Sequence, residues 1–332
     1  MKTAYIEHYG KLDAVKLGEQ AQPQLQADDI LIKIHAASIN PLDLRVVEGE
    51  FKAILPVKFP FILGNDLAGT IVEVGNQIKN FKVGDAVYAK TDQAGSFAEY
   101  VTVKETSIAL KPKNISMEHA ASLPLVALTA WQALVEFAQL KQGQKVLIHA
   151  GSGGVGTIAI QLAKQLGATV ATTTSGKNIS WVKELGADII IDYKSTNFED
   201  VIQDYDVVFD TQGGKTLEKS LTVLKRGGRV ISIAGPPDRN FAETLDVNFL
   251  LKCIIPMLSF PIRRKAKKLG VHYSFLFMQP NGQQLAEITK LVESEKIKPV
   301  VDKIYDFVDI KDAFDYVNTG RTKGKVVIKM ME

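Results

Sequence analysis

A glycine-rich turn placed between an apolar strand and a helix constrains this 332-residue chain more than any other feature. Gly151-Ser-Gly-Gly-Val-Gly156 follows the strand-like Lys145-Val-Leu-Ile-His149 and opens a helical stretch from Thr157 to Leu166. The G-x-G-x-x-G pattern alone is weak. With a strand before it and a helix after it, it predicts a dinucleotide site. Gly151 permits the tight turn, Gly153 leaves room for a pyrophosphate, and Gly156 lets the helix pack closely on the sheet. Gly154 and Val155 lie in the same turn, where helix N–H groups and the helix dipole face the phosphates. The alternative is a tight glycine turn with no ligand.

The surroundings of this turn predict a doubly wound parallel sheet. Short apolar runs at Thr169–Thr172, Asp188–Asp192, Asp206–Asp210 and Arg229–Ala234 alternate with helical stretches at Ile179–Leu185 and Lys215–Leu224. Val271–Phe277 is a plausible sixth strand, followed by a helix over Asn281–Ser294. Leu125–Leu140 is rich in helix formers. Up to about residue 122 the chain reads differently, as short strands such as Ile30–Ala36, Gly69–Val74, Val83–Tyr88 and Phe97–Val103 separated by turns. Strands this close together predict a compact, mostly antiparallel β domain. The tail Gly324–Lys329 reads as a strand that returns to that first domain.

The end of the second strand of the parallel sheet selects the cofactor. An NAD site places Asp or Glu about twenty residues after the first glycine. Here the segment is Thr172-Thr-Thr-Ser-Gly-Lys177, without an acid. Hydroxyls and a lysine suit a 2′-phosphate, so NADPH is expected, with Ser175 and Lys177 as first contacts and Thr174 and Tyr193 in support. The bland alternative for Lys177 is a solvated lysine near a helix start.

Composition closes off other classes. A net charge of +3 does not by itself point to nucleic acid or a membrane surface. The one basic cluster, Arg263, Arg264, Lys265, Lys267 and Lys268, has no interleaved aromatics and reads as a solvated helix face. Cys253 is the only cysteine, which excludes an internal disulfide and a Cys-x-x-Cys zinc ribbon. The N-terminal Met1–Tyr9 alternates like a strand rather than forming a signal peptide, and no run of about eighteen apolar residues occurs. A soluble protein of the cytoplasm is the expectation. His149 and His35 sit within strand patterns and are expected to be structural.

Further segments carry a family resemblance. They are Ala37-Ser-Ile-Asn-Pro-Leu-Asp43, Gly64-Asn-Asp-Leu-Ala-Gly69, Val83-Gly-Asp-Ala-Val87, Leu128-Thr-Ala-Trp131, Gly186-Ala-Asp188, Asp210-Thr-Gln-Gly-Gly214 and Gly320-Arg-Thr-Lys-Gly-Lys325. With the glycine loop, and in this order over nearly the whole chain, they resemble the medium-chain dehydrogenase/reductase superfamily, in its zinc-free quinone oxidoreductase and enone (2-alkenal) reductase branch. The resemblance implies an α/β fold in which a GroES-like β domain (1–124 and 279–332) is interrupted by a Rossmann domain (125–278), with the active site in the cleft between them. It implies that Asn40 lies near the nicotinamide and the substrate oxygen, although a turn residue before Pro41 is the plain alternative. Thr129 approaches the cofactor from a helix start, where it can also serve as a cap. Ala234 is a further cofactor contact, and the backbone around Phe275 and Phe277 holds the carboxamide. The loop from Glu48 to Phe61 is a candidate substrate segment in which Lys58, Phe59 and Phe61 line a pocket or belong to the core.

Departures from the zinc-dependent members are as informative. Those members place a Cys in the segment matching Asn40–Asp43 and a His-Glu pair in the segment matching Asn65–Asp66. Asn40 and Asn65 are amides, poor replacements for sulfur and imidazole. Without a Lewis acid, alcohol oxidation through a metal alkoxide is not expected. Hydride delivery to an α,β-unsaturated carbonyl or a quinone remains. Leu44-Arg-Val-Val47 lacks the tyrosine that some quinone reductases carry there. Single-electron quinone reduction, and an NADPH-binding sensor or structural protein without turnover, are the competing readings. An aromatic, alternating strand over 271–277 at an open sheet edge leads to the expectation of a homodimer.

Overall fold

The computed structural model describes residues 1–244 and 249–330, and every candidate site residue named above lies within them. The chain divides into two units, Met1–Leu128 with Gln279–Glu332, and Thr129–Met278.

In the first unit a seven-stranded sheet is built on the long strand Asp29–Ile39. Ile30, Ile32 and Ile34 alternate along it and lie in the core, as period-two patterning requires. Asp66–Val74 pairs with one side of it, followed by Ala86–Lys90 and Ile108–Leu110. Lys325–Lys329 and then Val301–Asp306 extend the other side, and Tyr100–Lys104 also joins the long strand. A three-stranded sheet joins Lys16–Glu19, Lys2–Ile6 and Phe61–Ile62. All pairings are antiparallel except Val301–Asp306 on Lys325–Lys329. A Cβ at Gly69 would meet Lys33 O at 2.2 Å, so this ladder closes only around glycine. The helix Ile310–Asn318 buries Ile310, Ala313, Phe314 and Val317, one stripe of a 3.6-residue period. Phe314 meets Phe97 edge-on at 5.7 Å.

The return of the tail fixes a register with chemical consequences. Val326 pairs with Ile39 and Val327 with Ser38, while Ser38 pairs on its other side with Asp66. One step beyond this ladder, Lys325 comes opposite Asn40.

The second unit holds a six-stranded, wholly parallel sheet in the order Ile189–Asp192, Thr169–Thr174, Lys145–Ile148, Tyr205–Asp210, Leu224–Ser232, His272–Phe275. Val146, Leu147, Ile148, Val207, Val208 and Phe209 are all buried, continuous apolar runs of the kind that a sheet covered on both faces demands. The strand order reverses at Lys145–Ile148, the switch point beyond whose carboxyl end such sheets bind ligands.

Three expectations change. The helix expected through Leu140 is α-helical only over Pro124–Trp131 and continues as a π-helical turn over Gln132–Phe137. The last strand covers His272–Phe275 rather than 271–277. Leu276, assigned by alternation to the same face as His272 and Ser274, is buried, because the ladder ends at Phe275 and alternation ends with it. Helices not foreseen fill Arg239–Thr244 and Phe249–Leu258, while the helix face read from the basic cluster belongs to Phe260–Leu269. The basic cluster lies on the last of these, with Ile262 and Ala266 inward and Arg263, Arg264, Lys267 and Lys268 in solvent. Among the described residues no helix is long and apolar enough to cross a membrane.

Candidate active site

In the first unit the sequence gathers amides and charges around Asn40. The residue precedes proline, which holds it extended (φ −119°, ψ 149°) at the entry to the helix Pro41–Val47. Asp43 sits in the first turn, and its Oδ2 accepts the Asn40 backbone N–H at 2.7 Å. Its Oδ1 accepts from Asn65 Nδ2 at 2.7 Å. The Asn40 side chain, 1% exposed, donates from Nδ2 to Asp66 Oδ2 at 2.9 Å. Its Oδ1 accepts from Lys325 Nζ, which also pairs with Asp66 Oδ2 at 3.2 Å. Asp66 is completed by Ser38 Oγ, which donates to Oδ2 at 2.9 Å, and by the Leu125 N–H, which donates to Oδ1 at 2.7 Å.

Charges this deep persist only when paired and hydrogen-bonded. Burial raises the Asp43 carboxyl to about 6, against the bonds from Asn40 and Asn65 and the field of Lys325. Burial likewise lowers Lys90, the register partner of Asp66, while Asp66, Asp92 and Asp43 oppose the shift. Sequence reading singled out only Asn40 as a site residue here. Asp66 entered as half of a lost metal pair and Lys325 as the end of a tail motif.

These donors do not fit zinc. Asn40 and Asn65 offer only amide oxygens, weak replacements for sulfur and imidazole, Asn40 Oδ1 is taken by Lys325 Nζ, and Asp66 is paired with the same ammonium group. Among the described residues no group of three or more His, Cys, Asp or Glu could hold a metal ion.

The second unit carries features that fit a dinucleotide. A Cβ at Gly151 would meet Thr172 Oγ1 at 2.2 Å, and one at Gly156 would meet Ala150 O at 2.3 Å. Those two glycines are required by the turn itself. A Cβ at Gly153 would meet only Ala150 O, at an ordinary 3.4 Å, so protein packing does not explain that glycine, whereas a pyrophosphate would. Gly153 caps the helix Gly154–Gln165, so Gly154, Val155 and Gly156 form its first turn, where N–H groups lack intrahelical acceptors.

At the end of Thr169–Thr174, Thr174 is buried and its Oγ1 has no hydrogen-bond partner. Ser175 Oγ accepts from Asn178 Nδ2 at 3.2 Å, Lys177 is exposed, and Tyr193 is 61% exposed. An acid is nonetheless present nearby. Asp192 is the register partner of Thr174, and its Oδ2 lies 2.6 Å from where a Cβ of Gly176 would stand. The sequence segment scanned for an acid lies on one strand, and this acid comes from the next.

Other candidates find varied places. Thr129 is buried in the helix Pro124–Trp131. Ala234 donates its N–H to Ser232 Oγ at 3.2 Å, and its carbonyl lies 2.4 Å from where a Cβ of Gly213 would stand. Phe275 spends its N–H on Asp238 Oδ2 at 3.0 Å and Leu276 spends its own on Ser232 O at 2.8 Å. Neither N–H is left for a carboxamide. Phe275 and Phe277 both pack on the Phe241 ring. Lys58 is exposed, Phe59 stacks edge-on with Tyr9 at 5.0 Å, and Phe61 is a strand residue packed against the core. His149 is structural, as expected. It is buried between Thr173 Oγ1 and Ser220 Oγ, and desolvation lowers it to about 4. His35 bonds Thr70 Oγ1 at 3.0 Å.

The chain is similar to known proteins over nearly its whole length. Residues 26–113 match the alcohol dehydrogenase GroES-like domain, and residues 185–328 match the family described as zinc-binding dehydrogenase. A 2-methylene-furan-3-one reductase of Solanum lycopersicum is 39% identical over 99% of this chain and 79% of its own length. An NADPH-dependent alkenal/one oxidoreductase, chloroplastic, of Arabidopsis thaliana is 37% identical over the same shares. The quinone oxidoreductase of Coxiella burnetii superposes with a TM-score of 0.84 at 33% identity, over 100% of this chain and 99% of its own.

Proposed function

The chain belongs to the medium-chain dehydrogenase/reductase superfamily, and on that premise we propose that it is a zinc-independent, NADPH-dependent oxidoreductase that reduces the C=C bond of small α,β-unsaturated carbonyls, or quinones, by hydride transfer. The observation that carries this reading is the Asn40 amide. Its oxygen is taken by Lys325 and one N–H by Asp66, while the second N–H has only a long 3.5 Å contact to Ser38 O. That N–H is the donor for a substrate oxygen that gains negative charge as hydride arrives. A donor matched to developing charge stabilises the transition state more than the ground state.

The chemistry that NADPH supplies when bound is a hydride for the β-carbon. Gly151, Gly153, Gly154, Val155 and Gly156 would hold its pyrophosphate, and Thr174, Ser175, Lys177 and Tyr193 would hold its 2′-phosphate. Thr129 and Ala234 would position the nicotinamide end, whereas at Phe275 and Leu276 the backbone N–H groups are already committed to Asp238 and Ser232. Lys58, Phe59 and Phe61 belong to the substrate loop. The α-carbon takes its proton from solvent or a side chain, and the helix Pro41–Val47 carries no tyrosine to supply it. The names of the tomato and Arabidopsis relatives support the enone and NADPH assignments, and that of the Coxiella structure supports the quinone alternative. The lone Cys253 suits a reducing compartment, the cytoplasm, and the open edge at His272–Phe275 supports a homodimer.

NADPH consumption against a panel of enones, alkenals and quinones tests the reading. Two-electron products with a saturated Cα–Cβ bond are expected. Semiquinone signals with quinones and no enone turnover would replace it with the single-electron reading, and tight NADPH binding without turnover on any member would leave a binding protein.

A further inference from the structure

We propose that Asp66 and Lys325 are positioning residues that fix the Asn40 amide with its N–H edge, rather than its oxygen, available to the substrate. This inference rests on the reading of Asn40 as the donor to the substrate oxygen.

The two ends of an asparagine amide are nearly alike in shape, so their neighbours decide which way the group faces. An ammonium group only donates and a carboxylate only accepts. Lys325 Nζ meets Asn40 Oδ1, Asp66 Oδ2 meets Asn40 Nδ2, and the two ions meet each other at 3.2 Å. Rotating the amide by half a turn would set its NH2 against the ammonium group and its oxygen against the carboxylate. Both contacts are repulsive, and with Asp66 at 0% and Lys325 at 5% exposure little water is present to soften them. The rotated amide would also present an acceptor to an oxygen that is becoming anionic. In the observed orientation the cation on the carbonyl oxygen withdraws electron density and strengthens the remaining N–H as a donor.

The cluster is also anchored from outside. Ser38 and the Leu125 N–H hold the Asp66 carboxylate, and the tail register Val326–Ile39 delivers Lys325 from 285 positions away along the chain. Stability alone gives a poor account of the lysine, because apolar side chains commonly replace a buried ion pair at no loss.

The test is a mutant cycle on kcat with methyl vinyl ketone and NADPH, with circular dichroism to confirm the fold. Lys325→Met leaves Asp66 buried without its cation and invites misfolding, so the double variant Asp66→Asn/Lys325→Met, which removes both members of the buried ion pair together, is the principal probe. It is expected to lower kcat roughly 10- to 100-fold, with KM and NADPH affinity little changed. Lys325→Arg is expected to keep most of kcat. Once Asn40→Ala has lowered kcat, adding the double variant should lower it no further, because the pair acts only through the amide. Losses that multiply in the triple variant, or a folded double variant with full kcat beside a slow Asn40→Ala enzyme, would overturn the positioning role alone. Full kcat in Asn40→Ala would overturn the donor reading and this inference with it.

Discussion

Asn65 donates from Nδ2 to Asp43 Oδ1 at 2.7 Å, with both side chains buried. An asparagine could ligate a metal only through its amide oxygen, a poor replacement for imidazole, and Asp66 is neutralised by Lys325 in the same cluster. The purified chain is therefore expected to carry far less than one equivalent of zinc by elemental analysis and to keep its activity in a chelator. Activity abolished by chelation and restored by zinc would sink the zinc-independent assignment.

The proposed 2′-phosphate site sets two opposed charges near each other. Lys177 is exposed at the end of the second parallel strand, whereas Asp192 approaches Gly176 from the neighbouring strand. Lys177→Ala should weaken NADPH by roughly 1.5–3 kcal/mol, about 10- to 150-fold in Kd, and leave NADH nearly unaffected. Asp192→Asn should tighten NADPH by about fivefold, since it removes a like charge worth about 1 kcal/mol near the surface. Fluorescence titration with both cofactors reads these effects. Equal losses for NADPH and NADH in Lys177→Ala would count against a 2′-phosphate contact.

Two buried groups give opposite pH dependences of stability. Asp43 is raised from 3.8 to about 6, so its favourable contribution is complete at acid pH and is lost as pH rises through about 6. His149 is lowered from 6.5 to about 4, so its contribution is present above 6.5 and is lost as pH falls through about 4. Each is worth about 3 kcal/mol, and over the shared window they largely cancel. Urea unfolding between about pH 4 and about pH 7 should therefore separate two variants. Relative to wild type, His149→Gln should lose stability as pH rises and Asp43→Asn should gain it. Curves parallel to wild type for both would show that neither group is shifted in the folded chain.

How much of this was legible in the sequence depends on range. The glycine turn is local, and Gly151, Gly153 and Gly156 announce their roles within six positions of one another. The apolar runs that become the parallel strands are equally local, and so is Asn40 before Pro41. Lys325 is not. It meets Asn40 because Val326 pairs with Ile39, and nothing in a single chain states that register. Asp192 escaped notice for the same reason, since it reaches the cofactor end by pairing with Thr174 on the adjacent strand. The helix Phe249–Leu258 was hidden differently. It leaves Phe249, Leu250, Met257 and Leu258 in solvent, so apolar periodicity does not mark its inner face.

That exposed apolar surface bears on the oligomeric state. His272–Phe275 ends the sheet order, and among the described residues no strand lies beyond it. Part of the edge is nonetheless closed from within. Asp238 takes the Phe275 N–H, and Tyr273 Oη donates to Pro236 O at 2.5 Å. Pairing with a second copy across a two-fold axis is thus confined to about His272–Ser274, and so short a ladder needs apolar burial beside it. The same unit exposes Phe249 at 82%, with Leu250, Met257, Leu258 and Phe260 more than half exposed, an area monomers seldom leave in water. Light scattering at micromolar protein should therefore give twice the 36.4 kDa chain mass. The Leu276 N–H turns inward to Ser232 O and N–H groups alternate along a strand, so Tyr273→Pro removes the outward ladder donor and should shift the protein toward monomer as concentration falls. A wild-type monomer with full activity at every concentration would refute the interface and leave the strand edge capped by Asp238 and solvent alone.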